Sequence, residues 1–371
     1  MDIKIQKKDL VQGLVLASSI VERKTTMPLL ANVCLCAHGK TLTLSATDLE
    51  VGFVADLATE VVTEGELTVS ARSLFDIVKE LPDDRVHLHA LPNHWMEVKS
   101  GKSHFKIVGL SAEEFPKLPE SGKEHFMIVD VADFLDMVTK TAYAMSTDET
   151  RYTLNGVLME QVKGDDGTAR LRLVATDGHR LAYADRAVKG KWKLESGVII
   201  PRKGILEWKR LLEGVDGTFQ LAIGTKQVTV QKDNVTLIIR LIDGQFPPYQ
   251  QVIPDSHKWV ISVGREILQQ SIRRVQLVTT DRSRGIRFRI SPKHLELTAK
   301  NPDIGEAHEE LQVKYQGETF EIGFNGRYFL DLLNVMADEQ VVMELKGEMG
   351  PALFRSEFDR NFLAVIMPMR L

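Results

Sequence analysis

The sequence predicts an α+β protein built from three similar domains, each with two helices packed on antiparallel sheet. Three observations carry that reading. A hairpin pattern recurs as LTLSATDLEVGFVA from Leu42, LRLVATDGHRLAYA from Leu171 and LELTAKNPDIGEAH from Leu295. Each copy alternates apolar and polar residues, turns at an Ala–x–Asp/Asn corner (Asp48, Asp177, Asn301) and resumes the alternation. A short strand and an amphipathic helix follow each corner, placing Arg72, Arg202 and Asn325 at 24, 25 and 24 residues beyond it. Each copy then closes on an apolar–Pro step, Phe115-Pro116, Phe246-Pro247 and Met367-Pro368, at 67, 69 and 66 residues beyond the corner. Four features in fixed order, three times over, define a repeat of domain size.

Taken in order, the first copy opens on a helix over Asp9–Val21. Leu10, Leu14, Ala17 and Val21 form its apolar stripe, with Lys8, Gln12 and Ser19 outside. The run NVCLCAH alternates as a strand, so Cys34, Cys36 and His38 share a face. A strand spreads them along a line and no second cluster completes a tetrahedral set, so two reduced cysteines and no metal site are expected. The second copy opens on a helix over Val131–Ser146, with Phe134, Leu135, Val138 and Ala142 inward and acidic residues in its first turn, as the helix dipole prefers. Asp166-Gly167 and Asp243-Gly244 read as hairpin turns. The third copy opens on a helix over Arg265–Val278. Polar stretches at Glu120–Glu124 and Pro254–Lys258 read as linkers, giving domains 1–124, 125–254 and 255–371.

The chain has 371 residues, 43% of them apolar and 26% charged, a composition that suits a globular core. No apolar run has the roughly 18 residues of a membrane span. The start MDIKIQKKDL carries no apolar core of the signal-peptide kind, so the expected compartment is the cytoplasm. The three thirds carry net charges of −4, +1 and −1, which is not the strongly basic balance of an ordinary nucleic-acid binder. Basic residues nevertheless recur on or near the helices. Lys79, Lys140 and Arg273 are among them, and solvated helix faces are their plain reading.

Asp177, His179 and Arg180 could form an acid–base corner. However, Asn301 replaces the Asp in the third copy and His is absent from two copies. No phosphate loop or nucleophile elbow accompanies them. Catalysis is therefore not expected, and neither is a cofactor. A peptide-binding scaffold that does not act on DNA is the alternative that the residues leave open.

The segments TTMPLLANV, SATDLE, RYTLNGVL, ATDGHRLA, IPRKGI, LIDGQFPPY, IGFNGRY and the terminal VIMPMRL run through nearly the whole chain. In that order they resemble the bacterial DNA polymerase III β subunits, the sliding clamps. The resemblance implies a head-to-tail homodimer closed into a ring, with helices lining the hole and duplex DNA held topologically and without sequence preference. Modest attraction to phosphate would let such a ring slide. It implies a clamp loader and polymerase and repair partners that dock through a short linear peptide. Lys24, Arg202 and Lys203 would face DNA, and helix position adds Lys79, Lys140 and Arg273 as candidates. Phe105, Ile107, Leu277 and Val278 would form the apolar part of the dimer interface. Lys99 and Lys102 on one side and Glu306 and Glu309 on the other would supply the complementary charge. The peptide cleft would be walled by Leu154, Thr176, Gly178, His179, Leu181, Pro247 and Val252, with Val365, Met367, Pro368, Met369 and Arg370 from the last strand. Arg151, Tyr152 and Arg180 would border it. Thr153 stands where the family often has an aromatic, and Pro248, Gln250 and Gln251 replace a more charged stretch.

Overall fold

The computed structural model describes residues 1–22, 27–82, 84–119, 126–164, 166–188, 192–279 and 284–371. Six α-helices lie among them: α1 (Lys7–Ile20), α2 (Ala71–Glu80), α3 (Val131–Thr141), α4 (Arg202–Leu212), α5 (Arg265–Gln276) and α6 (Gly326–Val335). They fall two to a repeat, and all strand pairings are antiparallel. None of the described helices is long and apolar enough to cross a membrane. Cys34 and Cys36 are free and half-buried on the strand Asn32–His38. No group of three or more potential metal ligands gathers among the described residues.

By packing, the three repeats gather into two compact units. One comprises Met1–Ala132, Val188–Lys193 and Lys203–Leu241; the other comprises Asp133–Ala187, Leu194–Arg202 and Ile242–Leu371. The division passes through the middle repeat because sheets are shared between repeats. In the first unit, Val235–Arg240 of the second repeat pairs with Val51–Ala58 of the first. In the second unit, Phe362–Ile366 of the third repeat pairs with Arg180–Ala187 of the second. Backbone hydrogen bonds thus run unbroken across the repeat boundary. The linker expected at Glu120–Glu124 lies within residues that are not described.

The repeated corner is a side-chain-capped turn. Asp48 Oδ1 accepts from the N–H groups of Glu50 (3.0 Å) and Val51 (2.7 Å). Asp177 Oδ1 accepts from those of His179 (2.9 Å) and Arg180 (3.0 Å), and Asn301 Oδ1 from that of Asp303 (2.9 Å). A short acceptor two residues back satisfies donors that the tight turn orphans, which is why Asp or Asn stands there in every copy. Position +1 needs a left-handed backbone in the first two copies: Gly178 has φ +87°, and Leu49 has φ +76°.

Several local expectations shift. The residues ending the strand before each second helix are Ser70, Pro201 and Asn325, so Asn325 matches Pro201 and Ser70 rather than Arg202 and Arg72. Ser70 and Asn325 cap α2 and α6 through their side chains, while Arg202 and Arg72 already lie inside helices. In α1 the buried stripe ends on Ile20, and Val21 is half-buried in extended conformation. In α3, Met137 is buried and Leu135 only half-buried. The α-helix stops at Thr141 and a 3₁₀ turn, Ala142–Ala144, follows. Asp243-Gly244 does not close a hairpin. The chain makes a single bridge, Ile242 to Ile199, and continues into the 3₁₀ turn Tyr249–Val252.

Candidate functional site

In the second unit the Asp177 corner, the exit segment Pro247–Val252 and the last strand converge on a pocket of about 140 Å³. Leu154, Thr176, Gly178, Arg180, Leu181, Pro247, Pro248, Tyr249, Val252, Val365 and Met367 line it. Each wall has a local cause. Thr176 Oγ1 donates to the Arg180 carbonyl (2.6 Å) and accepts from Gly178 N–H (3.1 Å), fixing the corner. The Met367 N–H donates to the His179 carbonyl (2.8 Å), so the tail leaves the sheet alongside the corner. Leu181 and Val365 are cross-strand partners and are almost wholly buried, which makes the floor rigid and apolar.

Tyr249 is held from behind. Its hydroxyl donates to Glu160 Oε1 (2.5 Å) and accepts from Arg172 Nη1 (3.0 Å). Arg172 in turn forks onto Asp185 through Nε–Oδ1 (2.6 Å) and Nη2–Oδ2 (2.7 Å), with its guanidinium 4.0 Å from the Tyr183 ring centre. Burial first, then the hydrogen bond to Glu160, raises the Tyr249 phenol above its ordinary value. It therefore stays neutral, and the pocket keeps an uncharged aromatic wall. Neither Pro248 nor Tyr249 was expected in the cleft wall from the sequence. The run FPPY was the available signal, since Pro-Pro fixes the backbone just ahead of an aromatic.

A second, polar pocket of about 400 Å³ shares Arg180, and Arg151, Asp177, His179, Arg284, Asn325, Arg327 and Tyr328 are among its lining residues. The Arg180 guanidinium links the two. Nε donates to Asp177 Oδ2 (3.0 Å), Nη1 donates to Asp331 Oδ2 (2.6 Å), and the group lies 4.6 Å from the Tyr328 ring centre. The His179 and Tyr328 rings lie nearly parallel, 6.4 Å apart. Arg151 Nη1 donates to the Asp177 carbonyl (3.1 Å).

The expected cleft residues thus divide. Leu154, Thr176, Gly178, Arg180, Leu181, Pro247, Val252, Val365 and Met367 come together in the apolar pocket. Arg151 and His179 line the polar one, so His179 is not part of the apolar wall. Tyr152 is exposed and its ring lies beside Gly244. Met369 is drawn away: its N–H donates to the Gly323 carbonyl (2.8 Å), and its side chain lies over Gly285, beside Leu371. Pro368 is half-buried and Arg370 exposed, and neither lines a wall.

The basic candidates divide as well. Lys79 and Arg273 are exposed, and Arg202 is half-buried at the start of α4. Lys24 lies outside the described residues. Lys140 is not a free cation: its ammonium bonds Asp136 and Asp359 (2.6 Å), and only 14% of its side chain is exposed. Lys203 is likewise engaged, on Asp48 Oδ2 and the Ile20 carbonyl (2.8 Å). Helix position alone could not reveal either partner, because Asp359 and Asp48 are remote in sequence.

Both strands expected at the interface leave backbone unpaired along one side. Ser103–Leu110 pairs along its length on one side, but on the other only Gly109 and Leu110 are paired. Phe105 is exposed and Ile107 half-buried. Lys99, His104 and Lys106 gather on Glu97, while Lys102 is exposed. Gly305–Gln312 is the edge of a four-stranded sheet. Glu309 forks onto Arg274 (2.6 and 2.7 Å) and Glu306 meets Lys300 (2.9 Å). Leu277 is 77% exposed and Val278 half-buried.

Comparison with known proteins places these features in one family. Residues 1–119, 128–248 and 250–370 match the models of the N-terminal, central and C-terminal domains of the DNA polymerase III beta subunit. The chain is 34% identical over 373 residues to the Beta sliding clamp of Caulobacter vibrioides and 38% identical over 373 residues to that of Pseudomonas aeruginosa, covering both chains fully in each case. Among solved structures, pol III beta from Caulobacter crescentus superposes with a TM-score of 0.95 at 34% identity. So does the sliding clamp from Bartonella birtlesii bound to griselimycin, and coverage of both chains is 100% in each.

Proposed function

The chain belongs to the DNA polymerase III beta subunit family, the sliding clamps, and we propose on that premise that its 140 Å³ pocket is where partner proteins dock. Its role is that of a DNA sliding clamp for DNA polymerase III: a processivity subunit without catalysis of its own, whose partners are DNA and the polymerase. The pocket carries the reading because it is apolar, preformed and rimmed by oriented backbone and Arg180, which suits a short linear peptide. Met367 lets one wall adapt to different side chains. Polymerase subunits, the clamp loader and repair proteins are the proposed occupants. A neighbour bound to griselimycin supports small-ligand capture by this fold.

The domains are taken as 1–124, 125–254 and 255–371. Head-to-tail dimerisation into a ring is supported by two unlike free strand edges, Ser103–Leu110 and Gly305–Gln312, and by the exposed Phe105 and Leu277. Arg202, Lys79 and Arg273 are the proposed DNA-facing side chains, and the work on chromosomal DNA supports a cytoplasmic location. A clamp loaded with loader and ATP onto nicked circular DNA should stay on the circle in moderate salt and leave once the DNA is linearised. Equal retention on both forms would overturn the ring. Met367→Ala with Val252→Ala should weaken polymerase-peptide binding roughly 5–30-fold, about 1–2 kcal/mol, and leave the dimer intact. Unchanged peptide affinity would remove the pocket from this role.

A further inference from the structure

The first unit holds a pocket built in the same backbone register as the docking pocket. The Gly52–Ile238 cross-strand pair matches Leu181–Val365. The Arg240 N–H donates to the Glu50 carbonyl (2.9 Å), just as Met367 N–H donates to that of His179 (2.8 Å). The exit segment after Pro116 stands where Pro247 and its followers stand. The result is a pocket of about 290 Å³.

Its chemistry differs from that of its counterpart. Leu49 replaces Gly178 and is 54% exposed, in a left-handed conformation that a branched side chain enters only at a cost. Ile238 and Leu118 complete an apolar floor, with Leu118 Cδ2 2.9 Å from where a Cβ on Gly52 would lie. Around this floor stand Lys117, Lys226 and Arg240, all exposed, and among the described residues none of the three makes an ion pair. The one acid in the lining is Glu50, whose carboxyl is shifted upward from its ordinary value by burial and by Asp48 beside it. Elsewhere in this unit basic side chains find acids, as Lys203 does on Asp48 and Arg210 on Glu207.

We propose that this pocket is a second docking site, selective for an acidic linear peptide that seats an apolar side chain on Leu49 and Ile238 and its carboxylates on Lys117, Lys226 and Arg240. The charge complement sets it apart from the apolar pocket of the second unit. The inference does not depend on what occupies that other pocket.

The test uses the full chain and a short photo-crosslinking peptide of alternating Asp and Leu. Crosslinks are expected at residues 47–52 and 116–119, with binding that weakens as salt rises. Lys226→Glu with Arg240→Glu should lower affinity at least about tenfold while leaving thermal unfolding within the wild-type range. Leu49→Gly, which relieves the backbone, should weaken binding several-fold with the charges intact. Crosslinks confined to the Leu154–Met367 pocket, equal capture of a Lys–Leu peptide, or capture of a dT oligonucleotide in place of the acidic peptide would each overturn the proposal.

Discussion

Arg180 Nη1 lies 2.6 Å from Asp331 Oδ2, tying the middle repeat's corner to α6 of the next repeat. The Arg180 side chain is 9% exposed and also bonds Asp177, so one guanidinium bridges two carboxylates. Asp331→Asn should lower unfolding stability by about 1–3 kcal/mol, because a charge-assisted bond to a buried cation is lost. Urea denaturation reads this as a lower midpoint at unchanged slope. An unchanged midpoint would mean that the pair contributes no net stability.

Lys203 makes a similar tie to the first corner through Asp48. Lys203→Met should therefore destabilise the protein while leaving the salt dependence of sliding on DNA close to wild type. Arg202→Ala and Arg273→Ala should do the reverse, with retention lost at lower salt and unfolding little changed. The comparison is made by dissociation from circular DNA across a salt series.

Asp359 receives Arg186 Nη2 and Lys140 Nζ, both at 2.6 Å. Burial alone would raise its carboxyl, but hydrogen bonds from Arg186 and Lys140 outweigh it and the net shift is downward from 3.8. A depressed folded-state value stabilises above the unfolded value and is lost as pH falls through the folded one. Asp359→Asn should cost stability at neutral pH and flatten the loss of stability below about pH 4. Thermal melts from neutral to acid pH give both slopes, and parallel curves would contradict the assignment.

Tyr249→Phe removes a hydroxyl that both Glu160 and Arg172 use. A stability loss of about 1–2 kcal/mol is expected from the partners left short of a bond. Because the ring stays, affinity for a peptide in the apolar pocket should change less than about twofold. A large fall in affinity with no loss of stability would show that the hydroxyl meets the ligand instead.

The repeat, its corner and the helices were legible because each rests on local chemistry. An Asp or Asn can cap its own turn, alternation marks a strand, and a spaced apolar stripe marks a helix. The apolar half of the candidate site, with Leu181, Pro247, Val365 and Met367, was legible only through the resemblance to the sliding clamps. What was not legible is what each charged or polar side chain meets. Lys140, Lys203, Glu306 and Glu309 looked like surface charges, His179 and Met369 looked like cleft wall, and Tyr152 looked like its border.

By itself, then, the sequence determined a thrice-used unit and the place in the middle copy where it departs from its siblings. Only the tertiary structure decided that Val365 pairs with Leu181 and Ile238 with Gly52, so that two repeats share one sheet and pockets form at the seams. It also decided that Asp48, Asp331 and Asp359 claim cations far away in the chain. Such pairings depend on backbone register and on strands brought together across more than a hundred residues, and local pattern carries no record of either.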